Sequence, residues 1–169
     1  MATTLTGSVK VVAALDLVSG IDIGTLSQAI RYTQTHTITN GTGLDAANEV
    51  WADTRTLTAS STENLDLAGS LTDAFGATLT FTRIKGIIIT AAVANTNNVL
   101  VGGAASNAFS TFVSDATDVI VVRPGGTLCL MAPDATSYAV TASTGDTLKI
   151  ANSSSGTSVT YDIILIGTV

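Results

Sequence analysis

The stretch Val119-Ile-Val-Val-Arg-Pro-Gly-Gly-Thr-Leu-Cys-Leu-Met-Ala132 decides the fold class. Every residue of Val119–Val122 is β-branched, which favours a strand over a helix. Arg123–Gly126 has turn chemistry, because proline fixes φ at the second position of a turn and glycine adopts the positive φ that follows. In Thr127–Ala132 alternate residues point to opposite faces, and both faces have apolar residues. The stretch therefore predicts a hairpin of two strands that can be buried, and no residue in it indicates catalysis.

Short runs of β-type residues, separated by turn residues, recur along the rest of the chain. The predicted strands are Thr54–Ala59, Asn64–Leu67, Thr78–Ile84, Val99–Val101, Tyr138–Thr141, Thr147–Ala151 and Ser158–Gly167. About eight short runs with frequent turns are typical of an antiparallel sandwich or barrel. We therefore predict an all-β fold, a jelly-roll-like antiparallel β-sandwich, over residues 53–169.

Residues 1–52 have a different pattern, which predicts an extended N-terminal arm or a peripheral β-hairpin. Ser8–Val18 fits either a strand or a short helix, and its periodicity does not decide between them. Thr33, Thr35, Thr37 and Thr39 occupy alternate positions of a strand that has no strongly apolar face, so its register is weakly specified. A single helical turn is predicted within Leu44–Trp51. We expect this arm to lie on another surface.

Composition limits the classes of partner. Only 12% of the 169 residues are charged, against roughly 25% in a typical soluble domain, and the mean hydropathy is +0.46. A weakly charged, Thr-rich surface is easily covered, so we expect much of it to be buried in an assembly; the alternative is a compact monomer. The apolar runs are too short to span a membrane. The net charge of −6 and the scattered arginines argue against direct nucleic-acid contact.

The residues with catalytic potential are few. His36 is the single histidine and Cys129 the single cysteine, so a zinc site is not expected, and Cys129 is predicted to pack as a small apolar residue. A His36 triad would need a serine and an aspartate from distant segments. Glu49 and Glu63 are the only glutamates and do not indicate a glycosidase pair. We expect no enzyme, no cofactor, and no catalytic, cofactor-binding or metal-binding residue.

Calcium is the metal that the sequence excludes least firmly. Six aspartates are predicted to lie in loops: Asp66, Asp73, Asp115, Asp118, Asp134 and Asp146. Asp115 and Asp118 are close enough in sequence to share an ion, but an aspartate in a turn normally accepts hydrogen bonds from its own backbone. Asn40 and Asn152 begin glycosylation sequons. Because Met1–Thr6 does not begin a secretion signal, we expect synthesis in a cytosol and no glycan.

Four segments resemble small structural proteins of tailed-bacteriophage virions. They are Leu65–Phe81, Asn95–Gly103, Val122–Gly126 and Tyr161–Gly167, and the likeness extends over about the last two thirds of the chain. The resemblance is strongest to the head decoration, or cement, proteins. These form β-sandwich or jelly-roll domains, often as trimers or dimers, that clamp neighbouring major capsid proteins, and the class has no catalytic residues to transfer.

The resemblance implies a non-enzymatic cement protein on the capsid exterior of a virion. Its expected partners are the major capsid protein and itself, as a homotrimer or homodimer, with no nucleic acid and no membrane. One alternative is a tail, neck or baseplate protein of a phage, for which the sequence features would be the same. Another is a glycan-binding or receptor-binding β-sandwich, against which the 5% content of aromatic residues argues.

Overall fold

The computed structural model describes residues 4–169, and the described chain is all-β. Its strands form a three-stranded, a five-stranded and a four-stranded sheet. The three-stranded sheet contains β1 (Gly7–Ile21), β2 (Gly24–Asn40) and β3 (Ala46–Ala47). In this range the structure contains no helix with the length and apolar character of a bilayer-spanning segment.

The five-stranded sheet is built around the C-terminal strand. Its members are β4 (Glu49–Leu57), β6 (Arg83–Ala91), β9 (Thr127–Met131), β10 (Tyr138–Ala139) and β12 (Val159–Thr168). Strand β12 pairs antiparallel with β4 on one side and with β6 on the other, and β6 then pairs with β9 and β10. The central position of β12 agrees with its sequence, which is apolar on both faces near its end.

The four-stranded sheet has the order β5–β11–β7–β8 and is antiparallel throughout. Its members are β5 (Thr62–Asp66), β7 (Val99–Gly102), β8 (Val119–Val122) and β11 (Thr147–Asn152). Leu148 and Ile150 of β11 and Val99 and Val101 of β7 are fully buried. Alternate residues of this sheet therefore form one wall of the core.

The main core lies between the five-stranded and the four-stranded sheet. Its largest fully buried side chains include Tyr161, Phe81, Phe109, Ile163 and Leu165. Side chains from both sheets join one cluster, as two facing antiparallel sheets require. The predicted all-β sandwich is confirmed, while the jelly-roll connectivity stays a prediction.

The predicted hairpin over Val119–Ala132 is wrong in its pairing, although both strands exist. Strand β8 pairs with β7 in the four-stranded sheet, and β9 pairs with β6 in the five-stranded sheet. The turn at Arg123–Gly126 therefore leads the chain from one sheet to the other. Gly125, at φ 72°, donates its N–H to the Ala91 carbonyl at 3.1 Å. The two strands that share this turn thus belong to opposite walls of the core, and both stay partly exposed.

Two further predictions near the body are corrected. The predicted helical turn in Leu44–Trp51 is absent, because Ala46–Ala47 pairs in parallel with the end of β2 and β4 begins at Glu49. The predicted strand Thr78–Ile84 contributes only its last two residues to β6, although Leu79 and Phe81 are buried as the alternation indicates. Since β4 continues to Leu57, the expected division between residues 52 and 53 falls inside a strand of the sandwich.

Candidate functional site: an exposed β-arm

The N-terminal hairpin is the largest exposed feature of the described chain. Strands β1 and β2 pair antiparallel from Gly7–Ile38 to Ile21–Gly24, and Asp22 and Ile23 form the tip. With 15 residues at about 3.3 Å each, β1 spans about 50 Å. Only the last two residues of β2 pair with a third strand. Most of this arm is therefore a two-stranded ribbon with both faces exposed.

One face of the arm is apolar along its whole length. Residues directly opposite in an antiparallel pair lie on the same face, so the register places the odd-numbered residues of β1 and the even-numbered residues of β2 together. Its apolar members are Val9, Val11, Ala13, Leu15, Leu17, Ile21, Leu26, Ile30, Tyr32 and Ile38. Leu17 is 69% exposed and Leu26 is 61% exposed. We call this surface the apolar arm face; apart from His36, its other members are glycine, serine and glutamine.

The opposite surface, the polar arm face, has all the charges of the two strands. It combines Lys10, Asp16 and Arg31 with a row of threonines from β2. The Arg31 guanidinium donates to both Asp16 carboxylate oxygens, at 2.7 and 3.0 Å, and both side chains are more than half exposed. Val12 and Val18 are the exposed large apolar residues on this face. The arm is therefore amphipathic with the period of two that a strand imposes.

The exposed apolar surface has an energetic consequence. A two-stranded hairpin is marginally stable in water unless a further strand or another surface packs against it. Covering one exposed leucine or isoleucine side chain is worth about 1.5–3 kcal/mol, and a contiguous apolar patch on a soluble protein marks an interaction site. The arm can therefore bind another apolar surface, and that binding would stabilise the arm itself.

At its base the apolar arm face already packs against the sandwich. Val9 and Ile38 join Leu5 in a second hydrophobic cluster with Ile164 and Ile166 of β12. Even-numbered residues of β12 point away from the main core, so this cluster lies on the outer side of the five-stranded sheet. The apolar arm face thus continues from the sheet surface out to the tip.

A buried lysine fixes the loop at the base of the arm. The pairing of β6 with β12 shifts register between Ile166 and Gly167, which leaves Lys85 as the extra residue of a bulge. The Lys85 ammonium donates to the carbonyl of Gly43, at 3.0 Å, and to that of Asp134. Burial lowers the pKa of Lys85, because removal from water disfavours the ammonium. The lysine therefore joins the loop after β2 to the loop after β9.

A groove lies beside β4, the edge strand next to the arm base. Val50–Asp53 and Thr72–Ala74 line an open volume of about 350 Å³ there. A smaller cleft of about 160 Å³ separates Val50 from Leu5 and Val9 of the arm base. Both are shallow, open depressions, so they extend the exposed apolar surface at the arm base and do not form an enclosed ligand pocket.

The most perturbed acid–base groups form a structural network between the two sheets of the sandwich. Tyr161 of β12 donates its hydroxyl hydrogen to Glu63 of β5, and Arg55 of β4 donates to the same carboxylate at 2.5 and 2.9 Å. Arg55 also reaches Asp53 at 3.0 Å. Burial and the bond to Glu63 raise the pKa of Tyr161, while Glu63 and Asp53 raise that of Arg55. Each group has a partner, so the network joins the sheets.

Five of the six aspartates predicted in loops lie outside the strands, and Asp66 is the last residue of β5; all six accept hydrogen bonds from nearby backbone, as expected for turn residues. Asp115 accepts from Thr117 and Asp118 from Ser114 and Asp115, while Asp134 accepts from Thr136 and Ser137. The others accept the N–H groups of residues between two and four positions away: Asp66 from Ala68, Asp73 from Phe75 and Ala77, and Asp146 from Ser143. No group of three or more metal-ligating side chains occurs within residues 4–169.

The remaining sequence candidates are dispersed. His36 lies half-buried on the apolar arm face opposite Val9, and Cys129 lies half-buried on β9, where burial raises the pKa of its thiol. Glu49 accepts the N–H of Val50, far along β4 from the network of Glu63. The structure brings none of these residues into a shared catalytic arrangement in the described chain.

The two sequon asparagines have structural partners. Asn40 accepts the N–H of Leu5 at 3.1 Å, which holds the start of the arm. Asn152 is 5% exposed, and its amide donates to the carbonyls of Thr58 and Thr157. A glycan on Asn152 would require these bonds to break.

Comparison with known proteins adds no relative: no family model, curated protein or solved structure matches this chain. The apolar arm face is the candidate site, and it is described by its own exposed residues.

Proposed function

We propose that this protein is a non-enzymatic structural component of a virus particle, a decoration protein on the outside of a tailed-phage head. The observation that carries the proposal is the arm, about 50 Å long, whose apolar face is exposed from Val11 to Leu26. A two-stranded ribbon is marginally stable in water, and a neighbouring subunit that covers its apolar face would stabilise it. The resemblance of Leu65–Phe81 and Tyr161–Gly167 to small virion proteins supports the same assignment.

The distribution of charge supports a position on the outside of a nucleic-acid container. The arm has two cations and two anions, which cancel, so the net charge of −6 belongs entirely to the rest of the chain. An acidic body is repelled by packaged nucleic acid. The neutral arm is free of that repulsion and supplies the apolar contacts with neighbours in the particle.

The test is addition of the purified chain to phage heads assembled without its gene. We expect the chain to sediment with the heads and to raise the temperature at which they release their DNA, measured with a DNA-binding dye. Electron microscopy of the reconstituted particles locates the added protein on the head, the neck or the tail. A chain that stays in the supernatant, or binds only the tail, overturns the assignment to the head.

A shortened arm is the matched variant. Val11 and Gln34 are the same type of strand pair as Ile21 and Gly24, because Ile21 follows Val11 by an even number of positions along β1. Replacing Val12–Thr33 by Asn-Gly therefore closes the hairpin with a two-residue turn and keeps Val9 and Ile38 on the base cluster. We expect this variant to fold and to be retained by heads much less than the intact chain.

A further inference from the structure

We propose that the apolar arm face is a self-association surface, on which the arm of a second copy of this chain packs through the same face. The inference rests on the proposed function only in treating the arm as an assembly element. Its first support is the distribution of residues: exposed Leu15, Leu17 and Ile30 lie on one face, and the ion pair of Asp16 and Arg31 lies on the other.

The chemistry of the two faces selects a protein surface over other occupants. A lipid surface or a nucleic acid would require an excess of cations beside the apolar residues. The arm has only Lys10 and Arg31, and Arg31 is paired with Asp16. The apolar arm face has no Lys, Arg, Asp or Glu, so it meets its own copy without like-charge repulsion.

The area of the face fits association between copies. The base of the face already packs against the sandwich, so the free part runs from Val11 to Ile21 and is about 36 Å long and about 10 Å wide, or about 360 Å². Two such faces bury about 720 Å² together, and a third arm raises the total to about 1,080 Å², which reaches the lower limit of a specific interface at about 1,000 Å². Identical arms also match in length along the whole face, which a shorter partner surface would not.

The base of the arm favours association through the apolar arm face, and the charge of the body does not prevent it. Val9 and Ile38 of this face already pack against Ile164 and Ile166, so arms joined by the face extend an existing hydrophobic cluster. The bodies hold the net negative charge and repel one another, but this repulsion is screened over about 8–10 Å at physiological salt. Arms about 50 Å long let copies join with their bodies well beyond that distance.

The experiment measures the mass of the purified full-length chain in solution by light scattering over a dilution series. Leu15→Lys with Leu17→Lys adds two cations to the apolar arm face. Val12→Lys with Val18→Lys adds the same charge to the polar arm face at residues of similar exposure, 63% and 57%. We expect the native chain and the polar-face variant to have at least twice the monomer mass of 17.1 kDa, and the apolar-face variant to have the monomer mass.

Three outcomes of the mass measurement overturn the proposal: a native chain that is monomeric at every concentration, an apolar-face variant that remains oligomeric, or equal loss of association in both variants. Circular dichroism and the unfolding midpoint establish that each variant keeps the folded body.

A second measurement uses the native chain alone. We expect hydrogen exchange of the arm amides to slow as concentration rises while that of β12 stays constant; exchange in the arm that is independent of concentration also overturns the proposal.

The two proposals fail separately. A chain that associates through its arms but does not bind phage heads overturns the decoration function and leaves self-association in place. A monomeric chain that binds heads through its arm overturns self-association and leaves the decoration function in place.

Discussion

The arm and the sandwich use similar residues with opposite results. Both contain strands in which β-branched and other apolar residues alternate with polar ones, yet Ile163 and Leu165 are fully buried in the sandwich while Leu15 and Leu17 are mostly exposed in the arm. In the sandwich a second sheet covers the apolar face; in the described chain nothing covers that of the arm beyond its base. Alternation therefore predicts a face but does not identify what buries it.

The difference also divides the molecule energetically. The stability of the sandwich is contained within one chain, since both walls of its core come from residues 49–168. The distal arm is a two-stranded ribbon, which by itself is only marginally stable in water. Removing apolar groups from the core should therefore lower the free energy of unfolding of the body. Removing them from the distal arm should weaken association through the arm and leave the body stable.

The largest expected effect is the contrast between Phe81→Ala and Leu17→Ala. Phe81 is 1% exposed in the core, and its truncation leaves a cavity, so we expect a loss of about 3–5 kcal/mol in the free energy of unfolding. Leu17 is exposed, and its truncation should change body stability by less than about 0.5 kcal/mol in dilute protein. Chemical unfolding monitored by the fluorescence of Trp51, the only tryptophan, measures both. Equal losses would show that arm and body unfold as one unit.

The second contrast uses two glycines. A Cβ atom at Gly167 would lie 2.8 Å from the Phe81 ring and against the Arg83 carbonyl, whereas one at Gly20 would meet nothing within 4 Å. We expect Gly167→Ala to cost about 1–3 kcal/mol through overpacking. We expect Gly20→Ala to leave body stability unchanged and to favour the extended arm. Thermal unfolding of the two variants is the measurement, and a tolerated Gly167→Ala would contradict the close packing of β12.

The third contrast compares the buried network with the exposed ion pair. Tyr161→Phe removes the hydrogen bond to Glu63, and we expect it to cost about 1.5–3 kcal/mol because the acceptor is charged. Asp16→Asn breaks the pair with Arg31 on the arm surface and should cost less than about 0.5 kcal/mol. Urea unfolding of both variants tests the comparison. If Asp16→Asn proved the more costly, the arm would contribute to body stability directly.

The same network predicts a dependence on alkaline pH. The folded-state pKa of Tyr161 is raised, by burial first and then by Glu63, above the value of about 10 in an unfolded chain. Folding therefore favours the neutral phenol, and its contribution is complete below about pH 10 and is lost as the pH rises further. We expect Tyr161→Phe to reduce this alkaline loss of stability, measured as the slope of the unfolding midpoint against pH.

The smallest effect concerns the loop beside the arm base. Hydrogen bonds from Thr136 and Ser137 lower the pKa of Asp134 to about 2, below about 3.9 in the unfolded chain. Its stabilising contribution is therefore present above about pH 4 and is lost as the pH falls toward 2. Asp134→Asn keeps an acceptor oxygen but removes this titration. We expect a slightly shallower loss of thermal stability in acid, and an unchanged pH profile would contradict the assigned pKa.

The sandwich could be predicted from local patterns, and the pairing of its strands could not. Val119–Val122 and Thr147–Asn152 have β-branched or alternating apolar residues bounded by turns, so their strands were identifiable within a residue. The turn at Pro124 carries no information on whether its strands pair with each other or with β7 and β6. That choice depends on where Leu128 and Leu130 pack against the main core and Met131 against the second cluster, which is a property of the whole fold.

The candidate site was less predictable, although its signal was present. Val9, Val11, Ala13, Leu15 and Leu17 occupy every second position, but Val12, Ala14 and Val18 on the other face blurred the alternation and left helix and strand undecided. The threonine row of β2 indicates a strand without a strong burial face. The opposite face of β2 includes Leu26, Ile30 and Tyr32. Only the register with β1 shows that these residues and the apolar residues of β1 form one surface.

The fixed base of the arm and its period of two limit how its length can vary. Inserting one residue into each strand beyond Val9 would rotate every distal side chain to the opposite side and turn the leucines away from their partner. Two residues per strand would restore the orientation and lengthen the hairpin by about 7 Å. Related chains are therefore expected to differ in hairpin length by discrete steps of two residues per strand.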